Sequence, residues 1–436
     1  MTRVAMFTNT FAPMIGGVER AIANAHEDLN AAGHFCRVIT PVFKGAEHSG
    51  GGVLRMPALT GIGQKEFSIP LPATSRLEDW MEAIEPTVVH SHQPFLLGDT
   101  AWRVARLRRI PLVFTHHTLY ERYAHYLRMD EERARRLVIE MTTRYANRCD
   151  LVIAPTESIR TLLLEREVTV PIAVAPSGID WHLFAKGSRM AGRAALGLTV
   201  DDRVIGHVGR LTPEKNLKFL IEAIIGALRL QPQLKLVLIG EGECLELTRR
   251  RFAEAGLAQQ LVAPGILTGA PLVDAYAAMD VFAFASRTDT QGLVLAEAMA
   301  ASLPVVALDA PGARECVLDE VNGRLLPAST SETDFARCLA EILQDSARLR
   351  RWAANAQQHS RQFSRRHCLA RLLAVYHQAV SDYTGDVSVG DARWDQLAER
   401  FDVEWTPFWE KVATAFRAFS SRSESSDTTS VPQPSA

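Results

Sequence analysis

Compact apolar runs alternating with amphipathic stretches recur along most of the chain, and this rhythm, more than any single motif, restricts the folds open to it. RVAMFT, near the start, is followed by a Gly-Gly turn and a helical pattern from Val18 to Ala32 that Gly33 stops. Further runs stand at 36–40, 87–90, 112–115, 151–154 and 172–175, with helical patterns between most of them. Strands apolar on both faces and joined through helices form parallel sheets, because each crossover lays a helix on one face. The segment 176–192 breaks the rhythm and reads as a linker, after which strands are expected again at 204–208, 234–239, 281–285 and 304–307. The expected class is α/β, with two Rossmann-like doubly wound domains facing across a cleft. Ligands of such sheets sit at the carboxyl ends of the strands, so the cleft is the expected site.

Residues 1–176 form the first expected domain, 177–192 the linker, and 193–380 the second domain with closing helices. An extension over 381–419 carries apolar residues at helical spacing, among them Phe401, Trp405, Phe408, Trp409, Val412, Phe416 and Phe419, a stripe that could dock on a partner or a bilayer but reads first as a face packed on the core or clamping the domains. The stretch 420–436 lacks the apolar residues a fold requires. A chain of 436 residues exceeds what one core organises, and 47% hydrophobic with 22% charged residues is ordinary globular composition.

The net charge of -2 offers no basic field for nucleic acid. Charge is nevertheless uneven, since residues 100–148 hold eleven Arg and no Lys against five acids. That excess reads either as a solvated helix face with i,i+4 pairs or as a contact for an anionic surface. The six Cys show no metal-ligand spacing, which points to a reducing cytosol, and no run of about 18 apolar residues is present to span a membrane. The opening residues are too weakly apolar for a signal peptide, so a cytoplasmic protein is expected.

Two stretches carry chemistry. In HVGRLTPEKNLKFL, residues 207–220, a strand ends at Gly209-Arg210 and Lys215 follows at a helix start, so two cations flank one loop. An Arg fork and a Lys point charge can stabilise a departing diphosphate without a metal, although the same residues also suit a solvated Pro-initiated turn. In SRTDTQGLVLAEAMAASLPVV, residues 286–306, a turn at Gln291-Gly292 opens a helix whose first N–H groups, near Gly292, Leu293 and Val294, would form an anion pocket. Glu297, a turn further in, could accept bonds from ribose hydroxyls, and Asp289 could reach hydroxyls of a sugar; capping and solvation are the plainer roles for both. Gly16 and Gly17 after the first strand either let backbone amides approach a ligand or make a tight turn. FTHHTLYERYAHYL, residues 114–127, clusters His and Tyr at a strand's carboxyl end.

GRLTPEKN followed by TDTQGLVLAEAMA resembles the retaining nucleotide-sugar glycosyltransferases of family four, which have the GT-B fold. The likeness runs over roughly residues 3–380. It implies that Arg210 and Lys215 hold the donor diphosphate. It also implies that Gly16, Gly17, Glu241, Gln291, Gly292 and Leu293 line the donor, that Glu297 binds ribose, and that Asp289 stands where the family has Glu. HTLYERYAHY, SHQPFLLG and TDTQGLV are similar to bacterial diacylglycerol glucosyltransferases and close relatives. That implies His117 beside the transferred sugar, with Tyr120, Tyr123 and His125 on the acceptor side. It further implies that Arg103, Arg106, Arg108, Arg109, Arg133, Arg135 and Arg136 face anionic lipid, each contributing about 1 kcal/mol.

The implied activity is transfer of a hexose, glucose by this likeness, from a uridine diphosphate sugar to a lipid such as diacylglycerol. The enzyme would be peripheral on the inner face of the membrane and need neither metal nor added cofactor. A soluble sugar or envelope-glycan acceptor, a sugar-nucleotide epimerase and an inactive nucleotide-sugar-binding protein are the alternatives. A nicotinamide dehydrogenase lacks its GxGxxG. Nothing in the sequence fixes the oligomeric state.

Overall fold

The computed structural model describes residues 1–385 apart from 15, 44, 47, 49, 61–67, 71–74 and 123–129. Two parallel sheets dominate it, as the alternation requires. The first lobe contains β1 (Arg3–Phe7), β2 (Phe35–Pro41), β3 (Val53–Met56), the antiparallel pair β4 (Ala58–Thr60) and β5 (Ser68–Pro70), β6 (Val88–Ser91), β7 (Leu112–Thr115), β8 (Leu151–Ala154) and β9 (Ile172–Val174). Its seven-stranded sheet has the order β3-β2-β1-β6-β7-β8-β9. The second lobe contains β10 (Arg203–Val208), β11 (Leu234–Ile239), β12 (Leu261–Gly265), β13 (Val281–Phe284), β14 (Val305–Leu308) and β15 (Gly323–Leu326), in the order β12-β11-β10-β13-β14-β15.

Alternate residues of each strand enter different cores. Val4 and Met6 pack on one side of the first sheet, Ala5 and Phe7 on the other; Leu236 and Leu238 likewise oppose Val237 and Ile239 in the second. Every one of these side chains is buried, those larger than alanine each worth about 1.5–3 kcal/mol against exposure, so both strand faces favour the covered sheet.

The expected linker holds two short helices, Trp181–Phe184 and Arg189–Ala195, capped by Asp180 and Ser188. The boundary drawn at 380 divides the molecule differently from its packing. The last described helix, Arg365–Asp382, returns to the first lobe, where Val375, Tyr376 and Ala379 join Val4, Met6 and Ile22 in one core. Arg365 fixes it there through Asp28 at 2.8 Å and Glu27 at 2.8 Å. The reason is the helix's apolar stripe, which Val4, Met6 and Ile22 of the first lobe cover. The aromatic extension over 401–419 and the stretch 420–436 lie outside the described residues.

Candidate active site between the lobes

The carboxyl ends of β1, β7, β10 and β13 meet at a cleft of about 280 Å³. Gly16, Gly17, His117, Tyr120, Arg210 and Lys215 line it, as do Asp289, Gln291, Gly292, Leu293 and Glu297. A second hollow behind it, about 50 Å³, is too small for a nucleotide.

Arg210 leaves the end of β10, and Lys215 closes a single 3-10 turn started by Pro213, so one loop presents both cations. Their side chains are only 15% and 16% exposed and turn into the cleft rather than into bulk solvent. Close strand ends shape this loop. A Cβ on Gly240 would stand 1.9 Å from the Gly209 carbonyl, and Gly240 has φ +132, so only glycine fits there. Arg210 Nη1 lies 3.3 Å from Glu214, and Lys215 Nζ donates to Asp289 Oδ1 at 2.8 Å. Burial works against ionisation of Asp289, but Lys215, Ser286 and Arg210 outweigh it and hold the carboxyl below its usual value. A diphosphate entering the cleft would meet an ammonium already held and oriented by Asp289.

Gly292, left-handed at φ +68, starts the helix Leu293–Ala300, and the first turn opens on the cleft. Glu297 lies one turn inward and is buried. Its Oε2 accepts from the Tyr276 hydroxyl at 3.0 Å, and its Oε1 accepts from Arg20 of the first lobe. Burial pushes this carboxyl up, only partly offset by Arg20 and Tyr276. Gly17 begins the helix Gly17–Ala31 at the opposite wall, and a Cβ there would meet no atom of the described residues within 4 Å. Neither strain nor crowding requires glycine at 17; what its missing Cβ leaves is room in the cleft.

The loop Thr290-Gln291 clasps the first lobe. Thr290 Oγ1 donates to the His117 carbonyl at 2.7 Å, and Thr156 Oγ1 donates to the Thr290 carbonyl at 2.9 Å. Gln291 is bound both ways to Ser177, accepting from its N–H at 2.8 Å and donating to its carbonyl at 2.7 Å. The Gln291 side chain is thus committed to the interlobe joint, and the residue can serve a donor only through backbone. Glu241 is absent from the cleft lining; its carbonyl accepts from Leu211 at 2.8 Å, because the chain turns away after Gly240.

Tyr120 is buried against Phe95 at the cleft edge. Tyr123 and His125 lie outside the described residues. Arg103, Arg108, Arg109, Arg133, Arg135 and Arg136 are exposed, beside an 84% exposed Leu107. Arg103 pairs with Asp99, while Arg135 and Arg136 share Glu132. Arg106 departs from the expected role: its side chain is 10% exposed, bonded to both oxygens of Asp150 and to the Arg148 carbonyl, so it braces the fold. Sequence reasoning passes over Arg20, Tyr276, His92 and the buried Glu19, whose carboxyl is pushed up by burial despite a bond to Thr10. The Arg20 signal was its place three residues after Gly17, on the helix that the Gly-Gly turn aims.

Two facing parallel-sheet lobes with a cationic, helix-capped cleft define a glycosyltransferase of the GT-B class. Residues 15–182 match the model for Glycosyltransferase Family 4, and residues 189–359 match that for Glycosyl transferases group 1; the chain belongs to this family. It is 30% identical over 317 residues to an alpha-monoglucosyldiacylglycerol synthase of Acholeplasma laidlawii, covering 70% of this chain and 79% of the relative. It is 32% identical over 316 residues to a D-inositol 3-phosphate glycosyltransferase of Stackebrandtia nassauensis, covering 69% and 70%. Anabaena HepE in complex with UDP superposes with TM-score 0.70 at 20% identity, covering 86% of this chain and all of that one.

Proposed function

We propose that the chain transfers a hexosyl group, glucose by preference, from a uridine diphosphate sugar to a diacylglycerol-type lipid, with retention of configuration and without a metal ion. The convergence of Arg210, Lys215 and the Gly292 helix start on one wall of the cleft carries this reading. As the anomeric C–O bond breaks, its electron pair leaves with the diphosphate, and these three groups meet the charge that develops there. The acceptor oxygen bonds to the same face of the sugar, and its proton passes to the departing phosphate oxygen. Glu297 accepts from the ribose, and Asp289 both orients Lys215 and faces the sugar. Closure of the lobes keeps out water that would otherwise hydrolyse the donor.

Support for the lipid acceptor is the synthase likeness and the exposed Arg103, Leu107 and Arg108 of the helix Leu97–Arg108, with Arg109 just past its end. Among the described residues no helix is long and apolar enough to cross a membrane, so attachment would be peripheral, on the inner face. The inositol phosphate relative favours a second reading, a soluble phosphorylated acceptor. Purified protein is to be incubated with UDP-glucose and EDTA, with diacylglycerol in anionic vesicles or with inositol phosphate. Alpha-linked glucolipid is the expected product. Product only with inositol phosphate would replace the acceptor, and a beta product or a strict metal requirement would overturn the mechanism.

A further inference from the structure

His117 has a partner that its own motif does not announce. His92 follows β6 by one residue and His117 follows β7 by two, and the parallel pairing of these strands sets the two rings side by side. His92 Nδ1 and His117 Nε2 are 3.0 Å apart. The ring planes differ by 23° and the centroids are 5.2 Å apart. That separation is close to the N···N distance plus two ring radii, so the rings meet edge to edge and the bond lies in the plane of both.

A single proton occupies this bond, because both rings are neutral: burial pushes His92 well below its usual value, and His117 down to about 3. Its position is decided on the far side of His92, where Nε2 is buried and has no partner among the described residues. An unpaired buried N–H is rarer and costlier than an acceptor left short of a bond. Nε2 therefore keeps the lone pair, and Nδ1 carries the proton and donates it to His117 Nε2. His117 must then hold its own proton on Nδ1, the nitrogen that no described residue engages. His90, its ring tilted against that of His92, is not available to replace it, since its nitrogens are bonded to Tyr376 at 2.7 Å and Thr115 at 2.7 Å.

We infer that His92 is a positioning residue, which by donating to His117 fixes the tautomer that offers an N–H, not a lone pair, to the sugar in the cleft. This rests on the glycosyl-transfer reading. Such a ring can hold an oxygen of the transferring sugar but cannot take a proton from the acceptor. It also brings no positive charge to a carbon that is itself becoming positive. That division leaves the acceptor proton to the departing phosphate.

The test combines histidine ring 15N correlation spectra with kinetics on the full chain. The His117 signal, assigned by its loss in His117→Asn, is expected in the Nδ1–H pattern, and to leave it in His92→Phe. His92→Phe should lose about tenfold or more in kcat with donor KM unchanged. His92→Asn, whose amide N–H can stand in the place of Nδ1–H, should stay within about threefold of wild type, whereas the longer Gln should not. An Nε2–H pattern in the wild type, full turnover of His92→Phe, or equal rates for Asn and Gln would overturn the inference; the last comparison stands if the Phe variant fails to fold. If the wild type transfers no sugar from any nucleotide donor, the functional reading fails, while the spectra still decide the tautomer.

Discussion

Arg20, on the first helix of one lobe, donates to Glu297, a buried carboxylate of the other, so the group assigned to ribose is already held across the cleft. Arg20 counters the burial that raises the Glu297 pKa. Arg20→Met removes that counterweight, and the carboxylate should protonate at higher pH. Because an ionised carboxylate accepts from ribose hydroxyls more strongly than a protonated one, kcat/KM is expected to fall away on the acid side sooner than in wild type. Superimposable pH profiles would remove Arg20 from this role. Tyr276→Phe removes a bond to the same carboxylate and should raise donor KM by about tenfold or more, as expected for a hydrogen bond to a charged group.

Lys215→Ala should lower kcat by about a hundredfold or more, the usual cost of removing a charge-stabilising donor from a transition state. Asp289→Ala should follow it, since Asp289 holds the ammonium at 2.8 Å. Asp289→Glu is expected to change kcat by less than about tenfold, because the shorter acid already reaches Lys215. Single-turnover rates of the three variants check this, and a large gain with Glu would mark Asp289 as an impaired residue.

Gly17→Ala separates stability from function. The added methyl meets no atom of the described residues and occupies a helical position, so the thermal midpoint should hold or rise slightly. The methyl does enter the cleft, so kcat/KM for the donor should fall. Unaltered kinetics would remove Gly17 from the donor wall.

Arg108→Glu with Arg109→Glu should reduce sedimentation with anionic vesicles, more at low salt than at high, and leave binding to neutral vesicles unchanged. Arg106→Ala should behave oppositely. It breaks charged bonds to Asp150 worth about 1.5–3 kcal/mol, so it should lower the urea midpoint while vesicle binding persists.

Acid should destabilise the fold well above the carboxylate range. Burial pushes His90, His116 and His117 down to about 3 and His207 to about 4. Below about pH 6.5 the unfolded chain takes up protons on these rings that the folded chain refuses, so stability falls as pH drops from there toward 4. Glu19 and Glu297, with raised pKa values, act in the opposite sense but are fewer. Urea midpoints between pH 7 and 5 should decline; a flat profile would mean these rings are protonated in the folded protein.

Both sheets were legible in the sequence because strands covered on two faces, such as Leu151–Ala154 and Val281–Phe284, are apolar at every position. The strands that escaped, Val53–Met56, Leu261–Gly265 and Gly323–Leu326, are at sheet edges, where partial burial admits Arg and Pro and blurs the pattern. Arg210, Lys215 and Glu297 could be named because each belongs to a local stretch whose chemistry is visible without the fold. Arg20 and Glu297 are 277 residues apart, and no local pattern relates them. His92 was hidden differently: only strand pairing brings it to His117. Gln291 and Arg106 were given ligand roles because their residue types suit such roles, and spacing cannot show that Ser177 and Asp150 occupy them.

The return of the last described helix to the first lobe means that the chain passes between the lobes twice. The two passages are laced together, Ile179 N–H donating to the Phe363 carbonyl at 2.8 Å and Arg365 N–H to the Ile179 carbonyl at 3.1 Å. Two passages bound side by side leave the lobes fewer ways to part than a single tether would, so the backbone itself narrows the range of positions from which Arg20 must find Glu297.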